Sequence, residues 1–345
     1  MRIGFIARSD NTGLGNQTKE LVDMLKPDKV LLINSYSFNR NVQHPEWYAE
    51  YKCMTSNGIP STNIIHNFLR DIDILITCET FYSDIIIKRA RERGIKTVLQ
   101  YNYEFLKNLN TPGTMYLPDV LVSPSSWYFD QVRDIFKDTA KVVHLPPPSR
   151  PELFENAKQN NMFKDHNRIL HIAGKAAIKD RNGTNTVFEM LKYSEADYQL
   201  VVKSQTKIED APNDPRLIIE VGNVKNREDM YSGFDAMVLP RRYAGLCLPM
   251  NEALLSGLPV FMTDISPNNN ILPKKWLAKS NKIDELQTQA LLDVYEADPK
   301  ELAKIIDDYV NSNKEKEKQE AFEIGFNNFS VEKLYPQYID LLQSI

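Results

Sequence analysis

Short runs of aliphatic and β-branched residues alternate with amphipathic stretches along this chain, and this alternation constrains the fold more than any other feature. In the first part the runs lie at residues 2–8, 30–34, 72–78, 97–102 and 120–123, with helical patterns such as 16–25 and 82–93 between them. Repeated strand and helix patterns are typical of a parallel sheet covered by helices. The sequence therefore predicts a first α/β domain.

A proline run at residues 146–148, followed by Pro151 and a polar stretch to residue 167, interrupts this alternation. Proline cannot continue a helix interior or a central strand, so we expect a linker here. The alternation then restarts, with strand-like runs at residues 169–173, 198–203, 217–221, 236–239 and 260–263 and helical patterns near 185–191, 227–232 and 250–255. This pattern predicts a second doubly wound domain.

The chain has 345 residues, which is enough for two domains of ordinary size. We expect an N-terminal Rossmann-like domain over residues 1–148, a second one over 149–330, and a C-terminal helix over 331–345 that packs back on the first domain. A charged helix is expected to end in NKEKEKQE at residues 313–320, and such a charge run is typical of a solvated helix face. Residues 35–60 have the least clear pattern.

Composition excludes several classes of protein. Hydrophobic residues make up 42% and charged residues 26% of the chain, as in soluble globular proteins. The net charge of -4 argues against a protein that binds nucleic acid or anionic membrane with its whole surface.

Cys53, Cys78 and Cys247 are too few and scattered for a disulfide framework or a zinc cluster, which favours buried thiols and a reducing cytoplasm. No apolar run approaches the roughly 18 residues that cross a bilayer. The start, MRIGFIARSDN, is typical of a first β-strand rather than a signal peptide.

The segment SDNTGLGNQT, at residues 9–18, follows the first strand and opens a helix. Gly13 and Gly15 would permit positive φ and let backbone N–H groups approach a phosphate or a sugar, with Asn16 beside them. A plain tight turn also explains these glycines, because their spacing is not the GxGxxG of dinucleotide-binding folds.

The segment GKAAIKDRNG, at residues 174–183, begins where a predicted strand ends. Lys175, Lys179 and Arg181 would then lie beyond the carboxyl end of that strand, where ligands bind in open α/β sheets. Cations at this place would stabilise the charge that develops on a leaving diphosphate. Solvated loop side chains are the alternative explanation.

The segment RRYAGLCLPMNEALLSGLPV, at residues 241–260, combines a glycine loop with a helix start. Pro249 is expected as the first helical residue, since its missing N–H costs nothing there. The amides of Gly245, Leu246, Cys247 and Leu248 would then point out of the helix N-terminus, towards phosphate oxygens or sugar hydroxyls. The Glu252 side chain leans back to the same place and can accept bonds from two vicinal hydroxyls. Compensation of the helix dipole is the alternative role of Glu252.

These residues resemble a known family. PRRYAGLCLPMNEALLSGLPV, at residues 240–260, is similar to the signature P-S-x-x-E-G-F-G-L-P-x-x-E-A-x-x-x-G-x-P-V of retaining nucleotide-sugar glycosyltransferases of the GT-B type, especially family 4. MRIGFIA, GKAAIKDRNG and LPDVLVSPSSWYFDQV resemble further segments of that family, and GLCLPMNEAL with FMTDISPNNNIL is similar to short bacteriophage glycosyltransferases. The resemblance implies an α/β fold of two Rossmann-like doubly wound domains with an interdomain cleft.

The resemblance also implies roles for individual residues. It makes Glu252 the ligand of the nucleotide ribose, and it makes Lys175 and Arg181 the catalytic cations on the donor diphosphate. Tyr103 and Glu104, in QYNYEFL, stand near the family's histidine and acid beside the sugar. The implied donor-binding residues are Gly13, Gly15, Asn16, Gly222, Asn223, Val224, Arg241, Tyr243, Gly245, Leu246, Cys247, Leu248 and Glu252. Among them, Gly222, Asn223 and Val224 lie where contacts to the nucleotide base would fall.

The chain departs from the family pattern at two positions of the loop. Ala244 stands where the family has the first glutamate of its E-x7-E pattern, and Cys247 stands where it has the second loop glycine. A hydrogen bond to a charged group of that kind is worth roughly 1.5 to 3 kcal/mol. Three explanations stay open: Arg241, Arg242 or Tyr243 substitutes for the acid, the sugar lacks the usual hydroxyl arrangement, or activity has been lost.

The function implied is transfer of a sugar with retention, by front-face attack of an acceptor hydroxyl, with a UDP-sugar as the expected donor and no essential metal or other cofactor. A hydroxylated pyrimidine in phage DNA is one acceptor, favoured by the aromatic and basic residues of the stretch 36–52. A protein, a polysaccharide or a small molecule are others, and a non-catalytic nucleotide-sugar sensor, a sugar phosphorylase or an epimerase remain alternatives. The expected location is the cytoplasm, that of the host if the chain is phage-encoded, and the oligomeric state is left open.

Overall fold

The computed structural model describes residues 1–34, 41–106, 117–175, 180–243 and 245–345. The chain divides into two compact units, a first unit of Met1–Pro148 with Val331–Ile345 and a second unit of Ser149–Ser330. Each unit is built on a parallel sheet with helices. The predicted fold class of two Rossmann-like α/β domains is therefore confirmed. No helix of the described residues is both long enough and apolar enough to cross a membrane.

The sheet of the first unit consists of parallel strands with buried aliphatic side chains at its centre. Its strands are β1 (Ile3–Ala7), β2 (Lys29–Asn34), β3 (Lys52–Asn57), β4 (Ile74–Cys78), β5 (Lys96–Gln100), β6 (Val120–Ser123) and β7 (Lys141–His144). They lie in the order β3-β2-β1-β4-β5-β6-β7. The helices between them are α1 (Gly13–Leu25), α2 (Thr62–Leu69), α3 (Asp84–Glu92) and α4 (Phe129–Phe136).

The second unit repeats this design around its own core. Its sheet contains β8 (Arg168–Gly174), β9 (Gln199–Ser204), β10 (Leu217–Val221), β11 (Ala236–Val238), β12 (Val260–Thr263) and β13 (Leu277–Ala278), in the order β10-β9-β8-β11-β12-β13. An antiparallel hairpin of β14 (Ser280–Gln287) and β15 (Leu291–Ala297) follows. The helices are α5 (Glu155–Met162), α6 (Thr184–Met190), α7 (Leu248–Leu255), α8 (Pro299–Val310) and α9 (Lys314–Phe329).

The last helix, α10 (Val331–Gln343), belongs to the first unit although it follows the second in sequence. Its apolar face is buried in the core of the first unit through Leu334, Tyr338, Leu341 and Leu342. The Tyr338 hydroxyl accepts a hydrogen bond from Gln100 Nε2 at 3.0 Å and donates to the Pro146 carbonyl at 3.0 Å. The helix is therefore held by both apolar burial and a buried polar contact.

The polar stretch that predicts a linker contains a helix, α5, so that prediction is wrong for residues 155–162. Ala157 and Asn161 of this helix are buried. The Asn161 amide donates to the carbonyls of Tyr231 and Ser256, both at 2.9 Å. A buried polar side chain, rather than a periodic apolar face, holds this helix, and hydropathy patterns do not detect that.

The charged run at residues 313–320 begins a helix rather than ending one. Asn313 caps α9, because its side chain accepts from the Glu315 amide at 3.2 Å. Lys318 is 2% exposed and donates to Asp235 Oδ1 at 2.8 Å. The run is therefore not wholly a solvated face, and its buried partner lies 83 residues away in sequence, which local charge patterning cannot reveal.

Several other elements differ from the predicted pattern. The expected helix at 227–232 is a single 3-10 turn, Glu228–Met230, and Gly233 with φ +86° follows it. The sequence patterns do not indicate β3, β7 or the β14–β15 hairpin. β3, β7 and β14 are largely exposed or half-buried, so they lack the continuous apolar run that marks a buried parallel strand. The prediction of buried thiols is wrong for Cys53, which is exposed on β3, and is confirmed for Cys78 and Cys247.

Candidate functional site

The carboxyl ends of the second unit's parallel strands lie along one edge of its sheet. β8 ends at Gly174 and is followed by Lys175, β10 is followed by Gly222, and β11 leads into the 239–247 loop and then α7. In open α/β sheets this edge is where ligands bind. The edge carries three of the segments that the sequence singles out.

Glu252 lies in α7 with its carboxylate bound by two side chains. It is 7% exposed. Oε1 accepts a hydrogen bond from Arg227 Nη2, and Oε2 accepts one from the Tyr231 hydroxyl at 2.7 Å. Burial and the neighbouring Glu252 charge hold the pKa of Tyr231 well above its usual range, so the hydroxyl stays a donor. Because a carboxylate has about four acceptor positions, each oxygen can take one more bond.

An arginine of the loop before α7 stabilises that loop by a hydrogen bond within it. α7 begins at Leu248, so Pro249 is its second residue and not the first as predicted; Cys247 is the N-cap. Arg241 is 7% exposed and its Nη1 donates to the Leu246 carbonyl at 2.9 Å. This contact joins the two sides of Ala244, which itself lies outside the described residues. At least one donor of Arg241 is thus committed to the loop.

Arg181 contacts the same loop. Its guanidinium carbon lies 5.5 Å from the centroid of the Tyr243 ring. The Arg242 amide donates to the Arg181 carbonyl at 3.0 Å, which ties the 180–183 segment to the loop after β11. Lys175 is exposed directly after β8, and the predicted Lys179 lies outside the described residues. Gly245 is buried, and Leu246 and Leu248 are half-buried.

Two further contacts hold this edge together. Gly183 has φ +72°, and a Cβ on it would lie 2.2 Å from the Pro240 carbonyl oxygen. His171 is fully buried, with Nδ1 2.9 Å from the Val238 carbonyl and Nε2 2.9 Å from the Thr184 hydroxyl. Since a carbonyl only accepts, Nδ1 carries the hydrogen and Nε2 accepts from Thr184. Burial lowers the pKa of His171 to about 4, so the ring is neutral near pH 7.

The segment after β10, where the resemblance places the nucleotide base, is largely exposed to solvent. Gly222 has φ +133° and its amide donates to the Ser204 carbonyl at 2.9 Å. Asn223 is exposed and its Oδ1 accepts from Gln205 Nε2 at 3.3 Å, while Val224 is half-buried. These residues offer backbone and amide groups to solvent at the same edge as Glu252.

Gly13, Gly15 and Asn16 lie at the start of α1 in the first unit. The Thr12 hydroxyl caps this helix by accepting from the Gly15 amide at 3.2 Å. The prediction that Gly13 and Gly15 provide positive φ is wrong, since neither has it. Gly15 is instead needed for close packing, because a Cβ would lie 1.9 Å from the Asp10 carbonyl oxygen. Asn16 is half-buried.

Tyr103 and Glu104 lie on a 3-10 turn that follows β5, at the carboxyl edge of the first unit's sheet. Tyr103 is buried and stacks on Tyr128 with ring centroids 4.3 Å apart. Its hydroxyl donates to Gln131 Oε1 at 3.3 Å. Glu104 is half-buried beside it. Tyr103 is thus a packing residue with its hydroxyl engaged.

The sequence motifs do not include Arg227 and Tyr231, the two partners of Glu252. A signal for them exists, because they are four residues apart in a stretch that has a helical pattern. In a helix that spacing would place a guanidinium and a phenol on one face, shortly after the predicted base-binding segment, although the segment folds as a 3-10 turn.

Comparison with known proteins places this fold among solved glycosyltransferases. No family model matches the chain, and no curated protein matches it. It is similar to Anabaena HepE in complex with UDP, with a TM-score of 0.69 and 10% identity over all of both chains. It is also similar to a Rickettsia africae glycosyltransferase, with a TM-score of 0.68 and 13% identity over 99% of this chain and 98% of the other. The chain is similar as well to an α-glucosyltransferase in complex with UDP and a 13-mer DNA that contains an HMU base. The TM-score is 0.64 and the identity is 13% over 99% of each chain. The predicted GT-B fold is therefore confirmed.

Proposed function

We propose that the protein transfers a sugar from a nucleotide sugar, with a UDP-sugar as the expected donor, to an acceptor hydroxyl with retention of the anomeric configuration. One observation carries the proposal: the Glu252 carboxylate lies in α7 at the ligand-binding edge of a sheet, in a fold that solved glycosyltransferases share. The UDP present in the HepE structure favours a uridine nucleotide.

The donor would be held by one acidic group at its ribose and by positively charged groups at its diphosphate. Glu252 would accept bonds from the ribose hydroxyls, since each oxygen keeps an acceptor position. The N-terminus of α7 carries partial positive charge and would attract the diphosphate. Arg181, beside Tyr243, and exposed Lys175 would add full positive charges. Departure of the nucleoside diphosphate would then be driven mainly by electrostatic stabilisation of its developing charge.

Retention and front-face attack rest on the resemblance of residues 240–260 to the family signature. The acceptor hydroxyl would attack on the face from which the diphosphate leaves, so the bond from the acceptor oxygen to the anomeric carbon forms as the bond from that carbon to the diphosphate oxygen breaks. The hydroxyl proton would pass to the leaving diphosphate. Lys175 and Arg181 would stabilise that oxygen.

The test is the release of nucleoside diphosphate and sugar transfer from a panel of UDP-, ADP- and GDP-sugars, followed by mass spectrometry. Arg181→Ala is expected to lower kcat about 100-fold, because a charge-assisted contact to the leaving group is lost. Glu252→Gln is expected to raise the donor KM about tenfold or more. Arg168→Ala is the control, since Arg168 lies at the first residue of β8, far from its carboxyl end.

Two outcomes would contradict this assignment. Turnover like that of the unaltered protein in both Arg181→Ala and Glu252→Gln would overturn the site. A protein that binds a nucleotide sugar but never transfers or hydrolyses the sugar would instead be the nucleotide-sugar sensor.

A hydroxylated pyrimidine in DNA is the acceptor that we favour. The structurally similar α-glucosyltransferase bound to DNA with an HMU base supports it, as does the resemblance to bacteriophage glycosyltransferases. Hydroxymethylated and plain DNA duplexes would be incubated with the donor panel and their nucleosides analysed by mass spectrometry. We expect a hexose or pentose adduct only on the hydroxymethylated duplex, and binding that weakens steeply as salt rises. Transfer to neither duplex would point to a protein, polysaccharide or small-molecule acceptor.

A further inference from the structure

The Glu252 carboxylate is held at both oxygens by residues from one short segment. Arg227 directly precedes the 3-10 turn Glu228–Met230 and Tyr231 directly follows it. Arg227 Nη2 donates to Oε1 and the Tyr231 hydroxyl donates to Oε2. With one donor on each oxygen, the rotation of the carboxylate about its last side-chain bond is determined.

The arrangement buries the carboxylate while part of its arginine partner stays exposed. Tyr231 is 2% exposed and Phe154 lies under the guanidinium, whose carbon is 5.7 Å from the ring centroid. The Arg227 side chain nevertheless remains 28% exposed. This partly exposed guanidinium belongs to a segment that closely follows the solvent-facing Gly222 and Asn223.

The chemistry of the two donors is complementary. Arg227 supplies a positive charge that offsets the cost of burying Glu252. Tyr231 supplies a neutral hydroxyl that keeps its proton. Both therefore only donate to the carboxylate, and the remaining acceptor positions of Oε1 and Oε2 stay available as a pair for two neighbouring hydroxyls.

We propose that Arg227 and Tyr231 are positioning residues, which hold the Glu252 carboxylate for the vicinal hydroxyls of a ribose and thereby set a preference for ribonucleotides over 2′-deoxyribonucleotides. This inference rests on the proposed function, because it assigns the ribose of the donor to Glu252. In a compartment that contains both kinds of nucleotide, such a preference disfavours the binding of deoxynucleotide sugars at the site.

Calorimetric titration of the full-length protein with UDP, ADP and GDP, and with the 2′-deoxy form of each, tests the proposal. The unaltered protein is expected to bind the preferred ribonucleotide at least about tenfold more tightly than its 2′-deoxy form, the factor for one hydrogen bond to a charged group. Arg227→Gln should weaken ribonucleotide binding about tenfold and 2′-deoxyribonucleotide binding much less, so that the ratio falls towards one. Arg227→Lys should restore part of the ratio, because it keeps the charge without the planar fork.

Tyr231→Phe is the second test, since it removes one hydroxyl and keeps the buried ring. It should lower the ratio less than Arg227→Gln does. Arg168→Gln is the matched control: its guanidinium lies 4.9 Å from the Phe234 ring, it pairs with Glu220 at 3.6 Å, and its side chain is 31% exposed. Like Arg227, it is a partly exposed arginine beside an aromatic ring, but it pairs with Glu220 and not with Glu252, so we expect an unchanged ratio.

The outcomes separate this inference from the proposed function. If the unaltered protein discriminates and both Arg227→Gln and Tyr231→Phe keep the full ratio, or lose affinity equally for both nucleotides, the positioning role is overturned while the proposed function stands. If the unaltered protein binds no nucleoside diphosphate, the proposed function is overturned and the inference with it.

Discussion

Gly183 is a residue of the second unit at which a side chain would clash with the backbone. Its φ of +72° is in the left-handed region, and a Cβ would lie 2.2 Å from the Pro240 carbonyl oxygen. That contact joins the segment of Arg181 to the loop that leads into α7. A methyl group here would push the two segments apart.

We predict that Gly183→Ala lowers the free energy of unfolding by about 3 kcal/mol or more, since backbone strain and a backbone clash act together. Gly174→Ala is the control, because it has φ +67° and its nearest atom would be Asn182 Nδ2 at 3.6 Å, an ordinary contact. It should cost only about 1 to 2 kcal/mol, the strain alone. Urea unfolding of both variants measures the difference, and equal losses would show that the contact with Pro240 is readily relieved.

At the residue scale, the sequence predicts the position of Glu252 but not its surroundings. Its place in the second turn of α7 depends on local features, namely Pro249 and the glycine loop. Its partner Arg227 lies 25 residues earlier in sequence, and the contact requires β10 and β11 to lie in one sheet. Local patterns cannot show that a buried carboxylate already has two donors.

Among the elements, β8, β11 and α6 are joined by one buried imidazole. His171 of β8 donates to the Val238 carbonyl of β11 and accepts from Thr184 at the start of α6. Burial lowers the pKa of His171 to about 4 from 6.5. Between these pH values the unfolded chain carries a proton on His171 that the folded chain does not.

We therefore predict that His171 makes the protein less stable as the pH falls from about 6.5 to about 4. The difference in proton binding corresponds to roughly 3 kcal/mol of unfolding free energy by the lower end of that range. In His171→Gln this part of the pH dependence should disappear, so the slope of unfolding free energy against pH should be shallower. Urea unfolding at several pH values measures the slope, with His66→Gln, at an exposed position, as the control. An unchanged slope in His171→Gln would argue that the imidazole is reached by solvent.

The elements that the sequence predicts are those with local signals. β6, β10 and β12 occupy the predicted residues, because each is a short apolar run in a parallel sheet. α5 and the start of α9 differ from the prediction, since contacts of Asn161 and Lys318 with distant residues stabilise them. Elements held by apolar periodicity can be predicted from the sequence, whereas those held by buried polar pairs require the tertiary structure.

For the molecule as a whole, the chain builds its first unit from two separate pieces. It leaves that unit after Pro148 and returns at Val331. Ser149 and Ser330, at the two ends of the second unit, form a β-bridge, and the Ser149 amide donates to the Phe329 carbonyl at 2.8 Å. The first unit therefore depends on a helix made after the entire second unit.

Deletion of residues 331–345 should destabilise the first unit selectively. It uncovers the core that Leu334, Tyr338, Leu341 and Leu342 bury, and each such side chain is worth about 1.5 to 3 kcal/mol. It also leaves the buried Gln100 amide without the Tyr338 hydroxyl. Hydrogen exchange should show lost protection in β1, β4 and β5, with protection in β8 and β11 retained. Tyr338→Phe, which removes only the hydroxyl, should cost about 1 to 3 kcal/mol in the same unit. Equal loss of protection in both units would mean that they unfold as one cooperative body, and that α10 stabilises the whole chain rather than the unit it packs in.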